Sequence, residues 1–112
     1  MARYTADRAK DIRLTGAEGI DAALRDNAID ALLFPGPLGA ALAARPGYPS
    51  VIVPFGLVPV TQAGLPDGFE PKPSPFGVTF TASACSEPRL LTLAYAFEQA
   101  TKRRQPPRLT SP

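Results

Sequence analysis

The 112-residue chain has no histidine and a single cysteine, Cys85. Without an imidazole there is no Ser-His or Cys-His dyad and no His-ligated metal. One thiol makes neither an internal disulfide nor a thiolate cluster, so no metal and no other cofactor is expected. A lone thiol fits a reducing, cytoplasmic compartment. No apolar run approaches the ~18 residues of a membrane span. No apolar stretch follows Met1-Ala2-Arg3-Tyr4 as a signal peptide requires. Neither membrane contact nor export is expected. Charge of one sign is also lacking. Twelve basic residues face ten acidic ones, a net charge of +2, which gives no reason to expect a nucleic-acid partner. The sequence contains no G-x-S-x-G, no S-x-x-K, no P-loop and no G-x-G-x-x-G.

Proline is plentiful instead. Fourteen Pro and nine Gly make up about a fifth of the chain and argue against a regular helical bundle, because Pro breaks helix interiors and cannot donate to a sheet ladder. The hydrophobic share of 45% is that of a globular chain rather than a disordered one. The length suits one small domain, residues 1–112, with a modest core.

The pattern along the chain predicts an α/β arrangement: a few buried strands of a mixed sheet with flanking helices. Residues 2–28 read as two helices bent near Leu14 to Gly16. Thr15 and Glu18 fit a capping box, and Ala17, Ile20 and Leu24 mark one apolar face. Ala31-Leu32-Leu33-Phe34, stopped by Pro35, reads as a strand buried on both faces. Gly39 to Ala44 is Ala-rich and long enough for one or two helical turns. Ser50-Val51-Ile52-Val53, stopped by Pro54, reads as a second, neighbouring strand after a tight crossover. Residues 57–75 carry five prolines without periodicity and read as a long loop. In Phe76 to Thr81, Phe76, Val78 and Phe80 alternate with Gly77, Thr79 and Thr81, predicting one apolar and one small polar face. The closing helix is the clearest element. Ser86 is its N-cap and Pro88 lies in its first turn. Leu90, Leu93, Ala94 and Phe97 form its apolar face. Lys102, Arg103 and Arg104 fall in its last turn, and Pro106 and Pro107 stop it.

Candidate chemistry is sparse. Cys85 sits beside a helix start, which lowers a thiol pKa, but no His stands by as a base and Glu87 opposes thiolate formation. Cys85 therefore reads as a small apolar residue and Glu87 as a carboxylate complementing the helix dipole. Lys102, Arg103, Arg104 and Arg108 read as a solvated helix end rather than a phosphate site, since no aromatic residues interleave with them. Phe76, Phe80 and Phe97 read as core. The three lysines, Lys10, Lys72 and Lys102, have no setting that lowers a pKa.

Two segments, IDALLFPGPLGAALAARPGYPSVIVPFG and SPFGVTFTASACSEPRLLTLAYAFEQATKRRQPP, resemble in content and order the C-terminal end of amidase signature enzymes. These are the Ser-Ser-Lys hydrolases that include amidases and the A-type chain of glutamyl-tRNA amidotransferase. The resemblance runs from about Ile12 to Arg108. It implies an amide hydrolase of which this chain is a C-terminal piece, contributing sheet and pocket wall. The family's Ser-Ser-Lys set lies upstream of the matched part, so the resemblance transfers no catalytic residue and the isolated chain is expected to be inactive. Family members carry polar residues after the first strand where this chain has Gly36-Pro37-Leu38, and the resemblance places these three in the pocket wall. The implied partner is the missing N-terminal amidase segment, or a second copy. The alternative from a different class is a stand-alone, non-catalytic module that binds a protein through an exposed strand edge.

Overall fold

The computed structural model describes residues 2–61 and 63–106. Helix α1 (Ala2–Thr15) runs into a π-helical turn (Gly16–Ile20) and on into α2 (Asp21–Asp26). Strand β1 (Leu32–Pro35) leads to α3 (Leu38–Ala44), β2 (Ser50–Val58), β3 (Ser74–Thr81) and α4 (Glu87–Thr101). The sheet order is β1-β3-β2, and both pairings are antiparallel. The class is α/β, as the pattern predicts. Strands β1 and β2, expected to be neighbours, instead flank β3 on either side.

The N-terminal helices are not separated by a capped break. Thr15 is helical and makes no side-chain cap. Its hydroxyl donates back to the Asp11 carbonyl at 2.6 Å, a local bond that competes with capping. Glu18 pairs with Arg13 instead of reaching back. The π-turn adds one residue to the helical repeat, so Ile20 and Leu24 are buried while Ala17 is exposed. Gly19 is required there: a Cβ would stand 2.6 Å from the Leu14 carbonyl oxygen.

Pro54 does not end β2. The Gly36 amide donates to the Gly77 carbonyl at 2.8 Å. This bond sets the parity of the ladder, because backbone groups along an antiparallel strand alternate between the two sides. Leu32 and Phe34 turn their amides toward β3. Leu33 and Pro35 turn their backbone groups to the outer edge. On the other flank Val51 and Val53 face β3, while Ser50, Ile52 and Pro54 face outward. Each proline thus lies where its missing N–H removes no ladder bond. Strand β2 continues past a bulge between Pro54 and Gly56 to Val58. The irregular connection is therefore residues 59–73, shorter at both ends than the expected 57–75.

Helix α3 packs on the sheet face bearing Phe34, Thr79 and Thr81, and α4 packs on the other, mainly over β2. The face expected to be polar is the buried one: Thr79 and Thr81 are 2% and 0% exposed. Small Ala and Gly residues of α3 allow close approach. The Thr79 hydroxyl is satisfied by donating to the Gly36 carbonyl at 2.6 Å. The core proper is Ile20, Leu24, Ala43, Ala82 and Leu90.

Helix α4 begins where the sequence predicts. Ser86 sits at the N-cap, Glu87 in the first turn and Pro88 just behind it. The Ser86 hydroxyl does not cap; it donates to the Ser83 carbonyl at 2.5 Å. The helix stops earlier than expected, since Lys102 adopts left-handed geometry, so Lys102, Arg103 and Arg104 lie beyond the last turn. Pro107 and Arg108 fall outside the described residues. Leu90 and Ala94 are buried, whereas Leu93 and Phe97 are half-buried. Phe97 packs on Phe80 and Phe55, that is on β3 and β2.

A part-buried polar contact helps tie the N-terminal helices to the body. The Tyr48 hydroxyl donates to Asp21 at 2.6 Å. This bond to the carboxylate, with burial and the carboxylate's charge, raises the Tyr48 pKa above its ordinary value. The folded state thus favours the protonated phenol. Its contribution is complete below the unfolded pKa of about 10 and is lost as pH rises through the raised value. Tyr48→Phe should cost about 1–2 kcal/mol at neutral pH. It should also flatten the alkaline limb of a stability-against-pH curve, measured by urea unfolding from pH 7 to 11.

The molecule is open. Its radius of gyration is 18.1 Å with extents of 55 × 38 × 24 Å, against about 13 Å for a compact domain of this length. Its accessible surface is 8360 Å², against about 5,900 Å² for a compact monomer of this mass. Strands expected to be covered on both faces leave Leu33 55% and Ile52 54% exposed.

Candidate functional site

The three candidate wall residues form the turn that leaves β1. Gly36 has φ +56°, the left-handed region that favours glycine. It is buried and bound twice, by its amide to Gly77 and by its carbonyl to Thr79. Pro37 and Leu38 are exposed, Leu38 at 68%. The turn borders β3 at Phe76, whose ring would lie 3.5 Å from a Cβ at Gly36.

Phe76 also walls a cleft of about 360 Å³ between the distal ends of β2 and β3 and the chain after α4. Ile52, Leu57 and Phe76 supply its apolar side, and Arg103 and Arg104 its basic side. Arg103 sits over the Phe55 ring at 5.7 Å, a cation–π arrangement, and Phe55 meets Phe76 edge to face. The aromatic interleaving absent from the linear sequence is thus made in space, because Arg103 folds back over β2. Phe55 carries no mark of this role in the sequence, where it follows a proline that reads as a strand end.

Among the described residues the serines stand apart from one another. Ser50 and Ser74 stand at opposite ends of the β2–β3 ladder. Ser86 is bound to the Ser83 carbonyl. Cys85 is exposed with φ +60° and has no imidazole to activate it. Among the described residues no three His, Cys, Asp or Glu gather as metal ligands. No described helix is long and apolar enough to cross a membrane.

No protein-family model matches the chain. Individual proteins do. It is 34% identical over 90 residues to an Arabidopsis thaliana protein named "Probable amidase", covering 80% of this chain and 15% of that protein. It is 44% identical over 50 residues to the A-type chain of the Gloeobacter violaceus glutamyl-tRNA(Gln) amidotransferase, covering 45% of this chain and 10% of that one. Among solved structures, the native peptide amidase of Stenotrophomonas maltophilia superposes with a TM-score of 0.76 at 38% identity. A peptide amidase in complex with the competitive inhibitor chymostatin gives 0.73 at 37%. These two matches take in 96% and 95% of this chain but 22% of each amidase. The chain therefore spans between a tenth and about a fifth of the length of these relatives. In sequence and in fold alike, the chain is similar to a part of the amidases of the amidase signature family.

Proposed function

We propose that the chain acts as the C-terminal portion of an amidase-type hydrolase, supplying sheet strands and pocket wall while a segment outside it carries the Ser-Ser-Lys set. The observation that carries this reading is the near-complete superposition of the chain on about a fifth of a peptide amidase, joined to its large uncovered surface. In the proposed whole enzyme, a serine of that other segment attacks the amide carbonyl. An acyl-enzyme forms as ammonia or an amine leaves, and water releases the acid. On this reading the nucleophile comes from that other segment and not from this chain. Its part is to shape and exclude.

The turn at Gly36-Pro37-Leu38 is the proposed wall element. Its support is local: Gly36 is pinned by two hydrogen bonds, which holds the exposed Leu38 side chain on a rigid base beside Phe76. A cytoplasmic setting, suggested by the lone thiol, belongs to the same proposal.

The test is direct. Treated with a serine-reactive fluorophosphonate, the purified chain is expected to show no labelled serine and no amide or ester hydrolysis above background. Stoichiometric labelling of one serine would overturn the assignment of the catalytic set to another segment.

A further inference from the structure

We infer that the cleft between the distal ends of β2 and β3 and the chain after α4 binds a small amphiphilic carboxylate. Its acid group would lie on Arg103 and Arg104, and its apolar body on Ile52, Leu57 and Phe76. The inference is independent of the proposed function. A second cavity of about 480 Å³ adjoins the cleft and shares Leu57, Phe76 and Arg103 with it. It adds Phe55 and Lys102. Three cations therefore border one apolar groove, and among the described residues no carboxylate lines either part of it.

The positive charge there is uncompensated. Among the described residues the ion pairs are made by Arg3, Arg13, Arg25, Arg45 and Arg89, and none by Arg103 or Arg104. Arg103 is held over the Phe55 ring instead, an attraction that occupies none of its N–H donors. The left-handed turn at Lys102, with φ +46°, brings the cations back toward β2. A guanidinium presents parallel N–H donors in a planar fork that matches the two oxygens of a carboxylate.

The rest of the lining decides the class of ligand. Besides the cations, Gln105 is the one polar side chain on the described walls. A sugar or nucleotide would bring hydroxyls and ring nitrogens that find too few partners here, and burying them unpaired is costly. A bare inorganic anion would leave Ile52, Leu57 and Phe76 wet. A molecule with one acid group at one end and hydrocarbon at the other uses both sides of the cleft. The volume of about 360 Å³ lies at the small end of ligand sites, which begin near ~300 Å³.

The experiment is saturation-transfer NMR on the purified whole chain at neutral pH, with octanoate as the probe and its uncharged twin octanamide as the control. Octanoate is expected to bind, and octanamide to bind at least ~tenfold more weakly. Inorganic phosphate at the same concentration should not displace octanoate. Arg104→Gln, and Arg103→Lys, which keeps the charge and loses the fork, should each weaken octanoate binding at least ~fivefold. Leu57→Asp, which sets a carboxylate in the cleft, should abolish it. Leu91→Asp, remote on α4, should leave it within about twofold. All four side chains are exposed, so each variant should keep the wild-type melting temperature within about 2 °C. The comparison of octanoate with octanamide is read on the wild-type chain and needs no variant. Equal binding of the two, or indifference to both arginine variants, would mean apolar adhesion alone and would overturn the inference. Displacement by phosphate would mean an anion site without an apolar body and would overturn it too. Neither result touches the amidase reading.

Discussion

Purified alone, the chain is expected to self-associate at micromolar concentration and to bind a hydrophobic dye strongly. Among the described residues, fourteen large apolar side chains are exposed by more than a third, against a buried cluster in which only Ile20, Leu24 and Leu90 are large. Several of the exposed ones, Leu33, Leu38, Ile52, Phe55 and Leu57 among them, lie on or beside the sheet. Large uncovered apolar surface marks a place where another polypeptide packs. The connection 59–73 offers no substitute lid, since its own Val60 and Phe69 are exposed. Sedimentation velocity over a hundredfold range of concentration, with dye fluorescence, checks this. A cooperatively unfolding monomer that binds no dye would refute the fragment assignment and favour a stand-alone protein-binding module.

The second large effect is expected from Leu90→Ala. Leu90 is 2% exposed and is the point of α4 that enters the cluster with Ile20, Leu24, Ala43 and Ala82. Truncating a buried Leu costs about 2–5 kcal/mol, set by how far the site collapses. Here the walls come from the π-turn, α2, α3, the segment after β3 and α4, which no single element can close. A chain whose core is this small has a stability at or below the low end of about 5–15 kcal/mol. The variant should therefore be unfolded, or largely so, at 25 °C by circular dichroism. Leu91→Ala, one position along and 62% exposed, is the matched control and should change stability by under about 0.5 kcal/mol. Phe97, the more obvious target from its size, is only half-buried and should cost less than Leu90 on truncation.

The contrast between Leu90 and Phe97 separates what a sequence can declare from what only packing decides. The start of α4 is legible because Ser86, Glu87 and Pro88 act within one turn. The apolar spacing marks its inner face. How deeply each residue of that face is buried depends on the strand beneath it, which spacing does not report. Thr79 and Thr81 run against expectation for a related reason. Alternation tells the two faces of β3 apart, but only the arrival of α3 decides which is dry. Pro54 looks like a stop in the sequence, yet a proline stops a strand only when its nitrogen faces a partner, and that parity is a property of the pairing. The Gly36-Pro37-Leu38 turn is visible as a break after an apolar run. The cleft beside it is not, because it joins Leu57, Phe76 and Arg103 from three places in the chain.

The π-turn carries a consequence for the N-terminal arm. Each residue of an α-helix advances the next by about 100°, so the extra residue at Gly16–Ile20 sets the azimuth of everything before it. Arg8, which donates to the Arg45 carbonyl, and Asp11, which faces Arg45, owe their side of the arm to that insertion. Removing one residue there would restore an ordinary helical repeat and spin α1 by roughly a quarter turn. Both groups would point away from Arg45, and Tyr4 and Ile12 would present a different bearing to any neighbouring polypeptide. The turn works as a phase shifter: a local change of pitch that decides which stripe of a solvent-surrounded helix looks back at Arg45.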